Sequence, residues 1–131
     1  MKSKFRVLLF SCFIFFYNSE NIAFSQDLGE NYNLYHQYIN RAETNFFLDN
    51  NADSCLFYYD QAFRSFKFNF VSDLINAAEI AYFSQKPYNR YIEKAYSYGF
   101  KAEYLKDIPL FDSTVIIKYT NFEKTKLYKE I

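Results

Sequence analysis

The 131-residue chain is half apolar and 24% aromatic, balances 15 basic against 15 acidic residues, and has only two glycines and two prolines. That length holds one domain, and the apolar share excludes wholesale disorder. The scarcity of turn residues excludes sandwiches and barrels, which need them at short regular intervals. With no clustered Lys/Arg stripe, nucleic-acid binding has no electrostatic support.

Residues 1–25 read as a targeting segment. Lys2, Lys4 and Arg6 precede an uncharged, largely apolar run of 11 residues, Val7 to Tyr17. A membrane-spanning helix needs roughly 20 such residues, so the run predicts a cleaved signal peptide and no span in the mature chain. Ala23-Phe24-Ser25 supplies the small residues that signal peptidase requires, placing cleavage between Ser25 and Gln26. Leu9-Phe10-Ser11-Cys12 offers an alternative, lipidation of Cys12 and a membrane-anchored lipoprotein of an envelope complex, but it leaves a short apolar core and a greasy new N-terminus. Cleavage at Ser25 is favoured and predicts an exported, periplasmic or extracellular protein. It leaves 12 basic against 14 acidic residues, and Cys55 alone among cysteines. A lone cysteine makes no internal disulfide, so residues 26–131 form one domain resting on its apolar core.

Gln26 to Asn31 reads as a polar lead-in. Tyr35, Tyr38/Ile39, Ala42 and Phe46 then recur at three and four residues, predicting a helix from about Tyr32 to Leu48. Asp49-Asn50-Asn51 stops it, and Asn51 or Asp53 can cap a second helix carrying Cys55/Leu56, Tyr59, Ala62/Phe63 and Phe66, ending near Lys67. Val71 to Ser84 forms a third, with alanines that permit close helix approach. Pro87 suits the first turn of a fourth, which Gly99 closes. Beyond Gly99, Ala102 to Lys106 fits one helical turn. Pro109-Leu110-Phe111 can open another short helix, whereas Thr114-Val115-Ile116-Ile117 is β-branched and reads as extended. Thr120 can cap a last helix with Phe122 and Leu127/Tyr128 on one face.

One pattern appears twice. Ala42-Glu43-Thr44-Asn45-Phe46-Phe47 precedes Tyr59-Asp60-Gln61-Ala62-Phe63, and Ala78-Glu79-Ile80-Ala81-Tyr82-Phe83 precedes Ile92-Glu93-Lys94-Ala95-Tyr96. The first members lie 36 residues apart and the last 33. Helix–turn–helix units with a period of about 34 residues are a repeat signature. Cys55, Tyr59, Ala62 and Phe46 take the small and aromatic positions of such a unit, matched by Ile92, Ala95 and Tyr82. On these residues the chain resembles the divergent tetratricopeptide-like (TPR-like) domains of exported bacterial proteins, over about residues 34–99. It departs from them in having Ala-Glu for Leu-Gly in the first helix, no Trp, and no proline after Lys67. The resemblance implies an all-α fold in which antiparallel helix pairs (units 34–67 and 70–99) stack as a short solenoid, with 100–131 as a C-terminal cap. It also implies a scaffold that binds a protein or peptide. Two units are few for a continuous core, so either 100–131 forms a third layer or the chain pairs with a partner or itself.

His36, the one histidine, lacks the convergent partners a triad or zinc site needs and reads as a surface or groove residue. Cys55 falls at a packing position and reads as a buried thiol. Glu43 and Glu79 occupy equivalent points of successive units, where bonding to neighbouring tyrosine hydroxyls is expected. No phosphate-binding loop, nucleophile elbow or metal-spacing cluster is present, so neither catalysis nor a cofactor is expected. Phe47 and Phe83 turn toward the concave surface that first helices line. Asn40 and Asn76, seven residues before each, share that face and offer both donor and acceptor to a peptide backbone. Asn40, Phe47, Asn76 and Phe83 are therefore the candidate binding residues, with burial of both rings against the next helix pair as the alternative.

Overall fold

A computed structural model describes residues 26–129, and every described regular element is helical. Helix α1 runs Gln26–Phe47, α2 Ala52–Ser65, α3 Val71–Phe83 and α4 Asn89–Ser97. A 3-10 helix, Ala102–Asp107, and α5, Ser113–Lys129, follow. The expected processing points at Cys12 and Ser25, and the side chains of Leu127 and Tyr128, lie outside the described residues.

The core follows the apolar stripes. Tyr35, Ile39, Ala42 and Phe46 of α1 close on Cys55, Leu56, Tyr59, Ala62 and Phe63 of α2. Leu74, Ala77, Ala78 and Ala81 of α3 meet Tyr91, Ile92, Ala95 and Tyr96 of α4. Burying each large side chain contributes roughly 1.5–3 kcal/mol, which amphipathic helices of this length need in order to persist. Residues beyond Gly99 add to the same core. Tyr119 of α5 stacks on Tyr96 at 6.0 Å, Phe111 packs edge-on against Tyr82 at 5.5 Å, and Ala102, Leu105 and Val115 are buried.

Local chemistry sets the element ends. Asn51 caps α2, its side-chain oxygen accepting from the Ser54 amide at 3.0 Å. Gly99 adopts φ 88 after α4, while its amide and that of Phe100 donate to the Tyr96 and Ala95 carbonyls. This is the two-bond closure that a left-handed residue permits. Asn50 (φ 50) and Gln85 (φ 57) hold the left-handed positions after α1 and α3 without being glycine.

Four expectations are corrected. Gln26 to Asn31 is helical rather than a lead-in: no proline interrupts it, and each residue added to an anchored helix contributes one further hydrogen bond. Pro87 lies before α4, whose N-cap is Tyr88, rather than in its first turn. Thr114 to Ile117 is helical, and α5 starts at Ser113 rather than after a cap at Thr120. Asp112 accepts from the Thr114 and Val115 amides at 2.9 and 3.1 Å, and that cap, with burial of Val115 and Tyr119, outweighs the β-branched preference. Thr120 consequently lies within the helix, bonding back to the Ile116 carbonyl at 2.8 Å.

Candidate functional site

His36, Asn40, Glu43 and Phe47 fall at spacings of four, three and four, which places them on one stripe of α1. Asp73, Asn76 and Phe83 form the corresponding stripe of α3. Asn40 is exposed and Asn76 half-buried. Phe47 is half-buried against the core, edge-on to Phe46 at 5.3 Å, whereas Phe83 is 39% exposed. The two repeat-equivalent rings thus occupy different surroundings.

Phe83 lines an open depression of about 670 Å³ with Tyr82, Gln85, Lys86, Tyr88, Pro109, Leu110, Phe111 and Asp112. Its walls come from the last turn of α3, the short connection to α4 and the loop before α5. The left-handed Gln85 turns the chain sharply enough to set Tyr88 beside Tyr82, edge-on at 5.3 Å. The Tyr82 hydroxyl donates to Asp112 Oδ2 at 2.6 Å, tying the second helix pair to the start of α5. That bond, aided by the capped amides of Val115 and Thr114, holds the Asp112 carboxyl below its ordinary range, and the same bond raises the Tyr82 phenol. Lys86 pairs with Asp53 of α2 across the connection. The depression therefore offers apolar and aromatic walls with an ammonium and a carboxylate on its rim, a combination suited to an apolar anchor flanked by polar groups.

A second depression of about 300 Å³ lies among Lys101, Glu103, Lys106, Thr120, Glu123 and Lys124. Its signs alternate, and Glu123 is engaged by the Ala102 amide at 2.7 Å.

The acidic side chains between α1 and α3 are the other unusual feature. The Tyr35 hydroxyl donates to Asp73 Oδ2 at 2.6 Å and accepts from the Phe70 amide at 3.3 Å. Burial lifts Asp73 to about 6 despite that hydrogen bond. Burial, reinforced by the Asp73 charge, lifts Glu43 to about 7, and burial alone lifts Glu79, 4% exposed, to about 7. His36 is pushed down by burial. Its ring packs against Tyr32 at 4.4 Å and Phe70 at 5.9 Å, with Nε2 buried and unpartnered, so it is more enclosed than a surface residue. Cys55 is fully buried on α2. Among the described residues, no three His, Cys, Asp or Glu side chains converge on a point where a metal ion would sit, and no helix is long and apolar enough to cross a membrane.

Glu43 and Glu79 are expected to bond neighbouring tyrosine hydroxyls. Three tyrosine hydroxyls donate to aspartates instead: Tyr35 to Asp73, Tyr82 to Asp112, and Tyr91 to Asp60 at 3.1 Å. Each joins residues at least 30 positions apart, beyond the reach of periodicity. The Phe83 depression is hidden from the sequence for the same reason, since four of its nine lining residues come from the 109–112 loop. The one local signal was Asp112 directly before Ser113-Thr114, a helix-capping sequence. Comparisons of the chain with protein-family models, with curated proteins and with solved structures find no match.

Proposed function

We propose that the chain is an exported, non-catalytic scaffold of TPR-like helix pairs that binds a protein or peptide, with the depression beside Phe83 as the anchor point. The observation that carries this reading is the depression itself. An aromatic floor of Tyr82, Tyr88 and Phe111 is joined by a ring, Phe83, that remains substantially exposed, and Gln85, Lys86 and Asp112 stand at the rim. A large side chain from a partner would bury apolar surface there while its flanking backbone meets the rim. Asn76 lies on the same stripe of α3, two turns before Phe83. Export rests on the pattern of residues 1–25, and the TPR-like reading rests on the Ala-Glu pair repeated at 42–43 and 78–79 and on Tyr59-x-x-Ala62-Phe63 matched by Ile92-x-x-Ala95-Tyr96.

Selection of displayed random peptides against the purified protein tests the proposal. Enriched peptides should share an aromatic or long aliphatic anchor. Their affinity should fall at least tenfold in Phe83→Ala, the range of an interface hot spot at about 1.4 kcal/mol or more. Phe57→Ala, at an exposed ring on α2 outside the depression, should leave affinity unchanged. Failure to enrich any common anchor, or equal loss in both variants, would overturn the assignment.

A further inference from the structure

Two charged side chains line the depression beside Phe83, and they differ in whether their charge is met. Lys86 pairs with Asp53, which lies outside the lining. Asp112 is exposed and takes part in neither of the two described ion pairs. Neutral donors hold its carboxylate in place. Oδ1 accepts the amides of Thr114 at 2.9 Å and Val115 at 3.1 Å, and Oδ2 accepts the Tyr82 hydroxyl at 2.6 Å. Hydrogen bonds from these residues keep the carboxyl below its ordinary range, with no cation contributing. The result is a fixed negative charge, without a countercharge, at the edge of an aromatic surface.

The rings limit what can meet that charge. Tyr82, Tyr88 and Phe111 are in mutual contact, with centroids 5.3, 5.5 and 6.3 Å apart, too close for another group to enter between them. An occupant must therefore lie along their outer surface instead of inside an aromatic cage. A long basic side chain suits this shape, since its alkyl stem covers apolar surface while its cation meets a carboxylate. Ring faces attract cations as well. Within the chain, Lys118 lies 5.7 Å from the Tyr88 centroid, but it donates to Asn89 Oδ1 and does not line the depression.

We propose that the peptide bound at the depression carries an Arg or Lys adjoining its apolar anchor, with the stem along the Tyr82 ring and the cation on the Asp112 carboxylate. This rests on the reading of the depression as an anchor point and adds the feature that selects among peptides. A charge at an exposed rim acts more on which partners bind, and how fast, than on how tightly they are held.

Displayed random peptides selected against the protein, and separately against Asp112→Asn and Asp112→Ser, test the proposal. Both replacements keep a side chain able to cap α5 while removing the charge. The unsubstituted protein should enrich Arg or Lys beside the anchor, and the variants should lose that bias. The most enriched peptide should bind either variant about three- to fivefold more weakly, the range of an ion pair at an exposed rim. Its version with norleucine at the basic position should bind protein and variants alike. Asp49→Asn, at an exposed acid just after α1, should change neither affinity. On the unsubstituted protein, the advantage of the basic peptide should shrink at about 0.5 M salt, a readout independent of how any variant folds. Phe83-dependent peptides without a basic neighbour, an advantage that salt leaves unchanged, or equal losses for both peptides in the Asp112 variants would overturn this proposal and leave the anchor point standing. Absence of any Phe83-dependent peptide overturns both.

Discussion

The two helix pairs carry similar segments at corresponding helical positions, Ala42-Glu43 to Phe47 in one and Ala78-Glu79 to Phe83 in the other, and the structure treats them differently. Phe46 in the first pair is 3% exposed, while Tyr82, its counterpart, stands half-buried at the rim of the second pair. The neighbouring acids reverse that order, Glu43 half-buried and Glu79 4% exposed. Phe46 has no polar atom and settles in the α1–α2 seam. Tyr82 carries a hydroxyl that reaches Asp112, and the loop before α5 gives its ring a second surface in Phe111. Repeat position fixes where a side chain leaves the helix; what lies beyond that helix fixes how deeply it is buried.

Truncating the equivalent rings tests this difference most strongly. Phe46→Ala should cost about 3–5 kcal/mol, as for a large aromatic removed from a closed core. Tyr82→Ala should cost less than half as much, since its site is partly open to water and relaxes into the depression. Urea unfolding of both variants gives the comparison. Equal losses would mean that the loop before α5 packs on Tyr82 as tightly as α2 packs on Phe46.

The legible part of the fold was what lies within one helix and its caps. The stripes of α2 and α3, the Asn51 cap and the left-handed Gly99 all follow from spacing and from side chains acting within a few residues. What escaped was settled at a distance. Thr114 to Ile117 reads as extended on propensity and becomes helical because Asp112 caps it and the core receives Val115 and Tyr119. At the candidate site, the place one residue after the packed aromatic leaves the exposure of the ring undecided, and Phe83 is 39% exposed. Phe47, at the same place, packs against the core. The tyrosine–aspartate bonds depend on tertiary approach, for which a single sequence has no spacing rule.

A smaller contrast lies in the second helices. α2 spans 14 residues behind the Asn51 cap, whereas α4 spans 9 behind Tyr88, which makes no side-chain capping bond. Asn51→Ala should therefore lower stability by about 1 kcal/mol, the usual loss for such a cap. Exchange should rise first in the leading turn of α2, with α4 unaffected. A loss spread evenly over both helices would show that the pairs fold as one unit with no local fraying, which would weaken the distinction drawn between them.

The smallest expected effect separates the two turns. Both first helices end on a left-handed residue other than glycine, Asn50 after α1 and Gln85 after α3, with the next amides returning to Asn45 at 2.9 Å and Ala81 at 2.7 Å. Asparagine tolerates that backbone because its short side chain bonds locally, but the longer glutamine lacks this advantage. Glycine relieves the steric cost at either site and adds freedom to the unfolded chain, so the two contributions oppose each other. At Gln85 the relief should win, and Gln85→Gly should stabilise by about 0.5 kcal/mol. At Asn50 there is less to relieve, and Asn50→Gly should be close to neutral. Paired thermal melts resolve a difference of that size, and the ordering matters more than either value. If Asn50→Gly proved the more stabilising, the strain would lie in the shorter turn of the first pair, residues 48–51. The turn over residues 84–88, which sets Tyr88 beside Tyr82, would then be unstrained.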